Sequence, residues 1–172
     1  MNAAHRIGIA GCLSLTLVWG GEKGLAAGFQ LHQFNGDFGL GLNLTSPYFL
    51  KQSMAVRASG DVVFSELDGW QPYAASRIGF LGGTGLISGF ARFYGEGGLQ
   101  FLFPDSNISE EKFVLGGYGH LGFEFFLDPG IQGHSYFIEL GSTGIAESAG
   151  KLPGEPIYFN GFCTGVGYRR YF

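Results

Sequence analysis

The chain has 172 residues, a formal net charge of −4 and only 14% charged residues, with positive mean hydropathy. That is enough for one domain, and an acidic chain with no basic patch is unsuited to following a nucleic-acid backbone, so nucleic acid is excluded as a partner. No Walker loop, dinucleotide fingerprint or metal-ligand spacing stands in a fitting context, so no cofactor and no metal are expected; the 32 glycines generate chance matches to Gly-rich patterns that carry no weight.

Residues 1–27 have the layout of a cleaved secretory signal peptide. Arg6 supplies a positive start, Ile7 to Gly21 is mostly apolar and uncharged, and Leu25-Ala26-Ala27 places small residues before Gly28, the expected mature terminus. The apolar run is too short for a spanning helix. Ile9-Ala10-Gly11-Cys12 has the form of a lipoprotein box, but the apolar run continues past Cys12 where a mature lipoprotein would turn polar. Loss of this segment removes Cys12 and leaves Cys163 alone, so the mature chain is not a disulfide-stapled fold.

Beyond residue 28 the dominant signal is alternation with period two. Phe38, Leu40, Leu42 and Leu44 alternate with Asp37, Gly39, Gly41, Asn43 and Thr45. Met54, Val56, Ala58, Gly60, Val62 and Phe64 alternate with Ala55, Arg57, Ser59, Asp61 and Val63. Phe93, Gly95, Gly97, Leu99, Phe101 and Phe103 alternate with Arg92, Tyr94, Glu96, Gly98 and Gln100, and residues 117–127 repeat the pattern. The strands are expected at 28–34, 37–46, 52–65, 72–82, 86–103, 112–127, 134–144 and 156–172. The first is short and is required to make the count even; Asn35-Gly36 then forms a two-residue hairpin. Most are long enough to span a bilayer at a tilt, for which ~9–11 residues suffice.

A soluble β-sandwich alternates too, with its apolar face inward. Three features favour a membrane barrel. The chain is apolar overall yet lacks a run long enough for a spanning helix beyond residue 27, and a closed barrel is the other structure that leaves no unpaired backbone in lipid. Glycine falls within the strands, where it suits a narrow, strongly curved barrel. Aromatics gather near strand ends, at Tyr48, Phe49, Trp70, Tyr73, Phe101, Phe103, Tyr158, Phe159, Tyr168 and Tyr171, as interfacial girdles do. The fold class is therefore all-β, an antiparallel up-and-down transmembrane β-barrel of eight strands. With the C-terminus periplasmic, the longer and more acidic breaks, near 66–71, 104–111 and 145–155, face outward.

Keeping the phase of each strand places Arg57, Arg77, Arg92 and Arg169 on the polar face with Asp61, Glu96, Glu124 and Glu139. An eight-stranded barrel has room inside for side chains and little else, so these groups and His120 are expected to form an ion-pair network that fills the lumen; a gate or a narrow ion path is the alternative. His120 and Glu124 lie about 13 Å apart along one strand, too far to pair directly. Cys163 shares the phase of Arg169 as a small lumen filler. His134-Ser135 raises a hydrolase pair of the kind found in lipid A deacylases of similar size, but adjacent strand residues point to opposite faces.

The run Gly165-Val166-Gly167-Tyr168-Arg169-Arg170-Tyr171-Phe172 resembles the C-terminal strand of outer-membrane barrel proteins, through Val166, Tyr168 and the final Phe172. Arg170 departs from the usual apolar residue, and Tyr171 is one place out of phase. The wider likeness, in pattern over residues 28–172, is to small barrels of the OmpA and OmpX type. The resemblance implies an outer-membrane location, recognition of Val166, Tyr168 and Phe172 by the barrel-assembly machinery, and contact with outer-membrane lipid and lipopolysaccharide. The expected function is non-enzymatic, as an envelope anchor or a scaffold presenting loops; a narrow pore, a lipid-modifying enzyme and a soluble secreted carrier are the alternatives.

Overall fold

The computed structural model describes residues 24–34, 36–51, 53–65, 71–83, 86–106, 109–127, 133–145 and 161–172. Eight strands run in chain order: β1 (Ala26–Phe34), β2 (Asp37–Thr45), β3 (Met54–Ser65), β4 (Gln71–Gly83), β5 (Ala91–Phe103), β6 (Val114–Phe126), β7 (His134–Ile145) and β8 (Gly161–Tyr171). Each pairs antiparallel with its neighbours in sequence, and β1 pairs with β8, so the sheet is a closed barrel with no free edge. Closure pairs every strand's backbone on both sides, which is the condition for crossing lipid without a helix.

The first strand is present and, at nine residues, is as long as β2; it begins at Ala26, ahead of the expected mature terminus at Gly28. Phe34 pairs with Asp37, so the connection has the two-residue length expected of Asn35-Gly36; Asn35 itself lies outside the described residues, as do residues 1–23 of the expected signal segment. One boundary is corrected. The strand expected over 86–103 begins at Ala91, because Ser88 and Gly89 both have positive φ, 51° and 77°, and turn the chain where an extended strand would need negative values. Residues 156–160 of the last expected strand lie outside the described residues, and the described part begins at Gly161.

The two faces of the wall divide by strand phase. Leu40, Leu42, Leu44, Val62, Ile78, Leu99, Leu121, Ile138, Leu140 and Val166 are all exposed on the outside. Phenylalanines and tyrosines lie toward both strand ends: Phe103, Phe113 and Phe162 at one, Phe123, Phe125, Tyr136 and Phe172 at the other. Three residues expected in the girdles turn to the lumen instead, among them Tyr48, half-buried against Ala55, Leu81 and Tyr94. Tyr73 and Tyr171 are both buried, since they share the phase of Arg77 and Arg169 on their strands. Trp70, Tyr158 and Phe159 lie outside the described residues.

Inside, apolar clusters occupy the two ends of the lumen. Phe34, Val63, Tyr73, Ala75, Leu102, Val114 and Cys163 pack together at the end remote from the chain termini. Ala26, Phe126 and Tyr171 pack at the terminal end, with Ala55, Leu81 and Tyr94 next to them. The charged side chains lie between.

Candidate functional site

The lumen is the site that the wall encloses, and it is built in three tiers. Nearest the chain termini, Glu124 on β6 receives four donors. Its Oε1 accepts from Ser135 Oγ and Tyr171 Oη, each at 2.7 Å, and from Arg169 Nη1 at 3.3 Å, while Oε2 accepts from Arg92 Nη1 at 3.4 Å. The Arg92 guanidinium lies over the rings of Tyr48 and Phe126, at 4.3 and 5.1 Å from their centroids. A planar cation between aromatic faces is held by the ring quadrupoles as well as by its carboxylate.

The middle tier crosses the barrel. Arg57 Nη1 on β3 donates to Glu139 Oε1 on β7 at 2.5 Å and to Glu96 Oε2 on β5 at 2.6 Å. Tyr94 Oη and Arg169 Nη2 also donate to Glu139 Oε1, at 2.6 and 3.2 Å, and Tyr118 Oη donates to Glu96 Oε1 at 2.6 Å. Arg169 stacks 3.8 Å from the Phe137 ring centroid. The room for this tier comes from glycine. A Cβ built on Gly122 would run into the Tyr94 ring across the strand pair, so the absent side chain on β6 is what lets the tyrosine lie against the wall.

In the third tier Asp61 accepts from Gln30 Nε2 at 2.8 Å and from Arg77 Nη2 at 3.2 Å, and Asn43 Nδ2 donates to Gln30 Oε1 at 3.0 Å. His32 bridges tiers, its Nδ1 lying 3.4 Å from Asp61 Oδ1 and its Nε2 3.7 Å from Glu139 Oε2. His120 approaches Glu139 Oε2 at 3.9 Å through Nδ1 and Cys163 Sγ at 3.1 Å through Nε2. Among the described residues no group of three or more His, Cys, Asp or Glu side chains is placed to hold a metal ion. The guanidinium of Arg77, 3.2 Å from His32 Nδ1, adds a fixed positive charge where such an ion would sit.

All nine candidates, Arg57, Asp61, Arg77, Arg92, Glu96, His120, Glu124, Glu139 and Arg169, are buried on the inner face. His120 and Glu124 do not touch; each has partners from other strands. Sequence reasoning did not assign Gln30, His32, Asn43, Tyr94 or Tyr118 to the network, and it placed Tyr171 in a girdle, whereas its hydroxyl donates to Glu124. The two tyrosines at 94 and 118 share the phase of Glu96 and His120, and that phase was the signal for them. His134 and Ser135 diverge: Ser135 is buried and donates to Glu124, while the half-buried His134 meets the Tyr168 hydroxyl through Nδ1. Val166 and Phe172 are exposed on the outer face, with Tyr168 half-buried in the same phase.

The fold and the filled interior define an eight-stranded antiparallel barrel of a kind found in outer-membrane proteins. The chain is similar to the crystal structure of the N-terminal β-barrel domain of Pseudomonas aeruginosa OprF, with a TM-score of 0.64 and 11% identity over 89% of this chain and 100% of that chain. At that identity the likeness carries the fold alone. No family model and no curated protein matches the chain.

Proposed function

We propose that the chain is an integral outer-membrane β-barrel protein, exported by its N-terminal segment, with a lumen closed by the ion-pair network and a non-enzymatic role as an envelope anchor and loop scaffold. The observation that carries this is the inversion of the wall. Leucine, phenylalanine, isoleucine and valine cover the outside, while four arginines and four carboxylates are buried inside. In water the outer face would be a far larger exposed apolar surface than soluble monomers carry. In a bilayer it is the matching surface, and the aromatic residues toward both strand ends suit the two interfaces. The likeness to the OprF barrel domain supports the same reading at the level of fold. Val166, Tyr168 and Phe172, lined up on the lipid side of β8, suit recognition by the barrel-assembly machinery, and the outer belt suits contact with lipid and lipopolysaccharide.

Fractionation of cells producing the protein, followed by electrophoresis with and without heating, tests the reading. Recovery with outer membranes and a heat-dependent change in mobility are expected. Quantitative recovery from the soluble periplasm would overturn it.

A narrow conducting path is the second reading. Its basis is Arg57 Nη2, a buried donor without a protein acceptor among the described residues, which water in the lumen would satisfy. Steady, charge-selective current from the native protein in planar bilayers supports the path; silence supports the closed lumen.

A further inference from the structure

Ten charged residues lie in the eight strands, and of these Arg170 alone is exposed. Its neighbours Arg169 and Tyr171 point into the lumen, which leaves Arg170 on the outer face at the terminal end of β8. There it stands directly across from His134 on β7, and the next outward pair on the same two strands is Tyr136 opposite Tyr168. Directly opposed side chains have Cβ atoms roughly 4.5–5.5 Å apart, so these four form one continuous patch.

The patch is assembled but not saturated. Its tyrosine rings lie 5.4 Å apart and tilted, His134 Nδ1 meets the Tyr168 hydroxyl, and the Arg170 guanidinium lies 5.2 Å from the Phe172 ring centroid. Among the described residues Arg170 has no carboxylate within ion-pair distance, and neither the Tyr136 hydroxyl nor His134 Nε2 has a hydrogen-bond partner. Three unengaged donors thus face outward at the margin of the apolar belt, beside Ile138 and Val166.

We infer that this β7–β8 patch binds the phosphate of a phospholipid headgroup in the leaflet that meets the terminal end of the barrel. The assignment rests on the membrane reading above. An arginine at the margin of an apolar belt meets headgroups rather than hydrocarbon, and its forked donors match phosphate oxygens. Tyr136 and His134 add hydrogen bonds from the neighbouring strand, and the acyl chains continue along Ile138, Leu140 and Val166. A free phosphate would use the donors and leave that apolar continuation unused.

The test uses the folded protein in detergent, with heat-modifiable migration confirming the barrel before any lipid is added. Native mass spectrometry then follows retention of phosphatidylglycerol, of a diacylglycerol with the same chains, and of inorganic phosphate. One phosphatidylglycerol per chain should be retained, and Arg170→Gln should weaken retention roughly tenfold, the loss of one charge-assisted contact. Lys51→Gln, an exposed lysine at the same end, should change nothing. Equal retention by R170Q, an equal loss in K51Q, or retention of diacylglycerol to the same degree would overturn the proposal. Retention of inorganic phosphate with equal affinity would reassign the patch to free anions and overturn the lipid assignment. If R170Q does not assemble, Tyr136→Phe removes only a hydroxyl; a roughly threefold loss supports the patch and no change overturns it. Failure of the native chain to fold in detergent would instead count against the membrane reading itself.

Discussion

The two faces of the wall are made from alternate residues of the same eight strands, yet they obey opposite rules. On the outside, Leu42 is 68% exposed and Leu121 58%, and what matters there is that each position is apolar. Inside, Glu124 and Arg169 are both 0% exposed, and what matters is which donor meets which oxygen. The outer face is specified by composition and the inner face by partners. A substitution that keeps polarity class is therefore tolerated outside and damaging inside.

The most severe way to break that contrast is to remove one charge from the middle tier while keeping its shape. Glu139→Gln leaves Arg57 and Arg169 facing an amide in place of a carboxylate. Breaking a buried pair typically costs about 3–5 kcal/mol. Equilibrium denaturant unfolding from lipid vesicles should show a loss of that order. A loss close to zero would mean that water already screens the lumen, and would favour the conducting reading.

On the outer face the damaging change is one of class. Leu121→Arg at mid-strand of β6 places a cation in the apolar belt, at a cost of about 2–4 kcal/mol at a bilayer midplane. Leu121→Phe should move the same unfolding midpoint far less. If the two variants behave alike, the outer face is not seated in hydrocarbon.

A smaller effect sharpens the inner rule by volume alone. Gly122→Ala adds one methyl group against the Tyr94 ring, which is fixed by its hydrogen bond to Glu139. Overpacking of this kind costs about 1–3 kcal/mol. Thermal unfolding should fall accordingly in the native background and recover in part when Tyr94→Phe frees the ring.

Much of the fold was legible because a barrel strand writes its two faces into consecutive letters. Arg57 and Asp61, or Arg92 and Glu96, fall on one phase whatever the partner strand does. The β5 start was not legible, because Leu86 and Ile87 continue the apolar pattern right up to a turn that depends on the backbone at Ser88 and Gly89. Tyr73 and Tyr171 looked like girdle residues by their place near strand ends, while their phase, the stronger signal, put them inside. The choice of partners was beyond reach for a different reason. Arg57 and Glu139 are 82 residues apart and meet only across the closed lumen, a relation that no local pattern encodes. His32 and Gln30 are harder to read because the polar–apolar alternation of the first strand reverses at its end, where Gln33 is exposed and Phe34 buried.

The cross-lumen pairing also makes the two halves of the sheet electrostatically dependent on each other. Among the fully buried charges, β1 to β4 carry Arg57 and Arg77 against Asp61, whereas β5 to β8 carry Arg92 and Arg169 against Glu96, Glu124 and Glu139. Each half of the sheet is one charge out of balance, in opposite senses, and Arg57 in the first half bonds Glu96 and Glu139 in the second. A half-formed sheet must keep its inner face wet, since neither half can neutralise itself. Dehydration of the interior is thereby tied to closure of the sheet, the state in which Arg57 reaches Glu96 and Glu139.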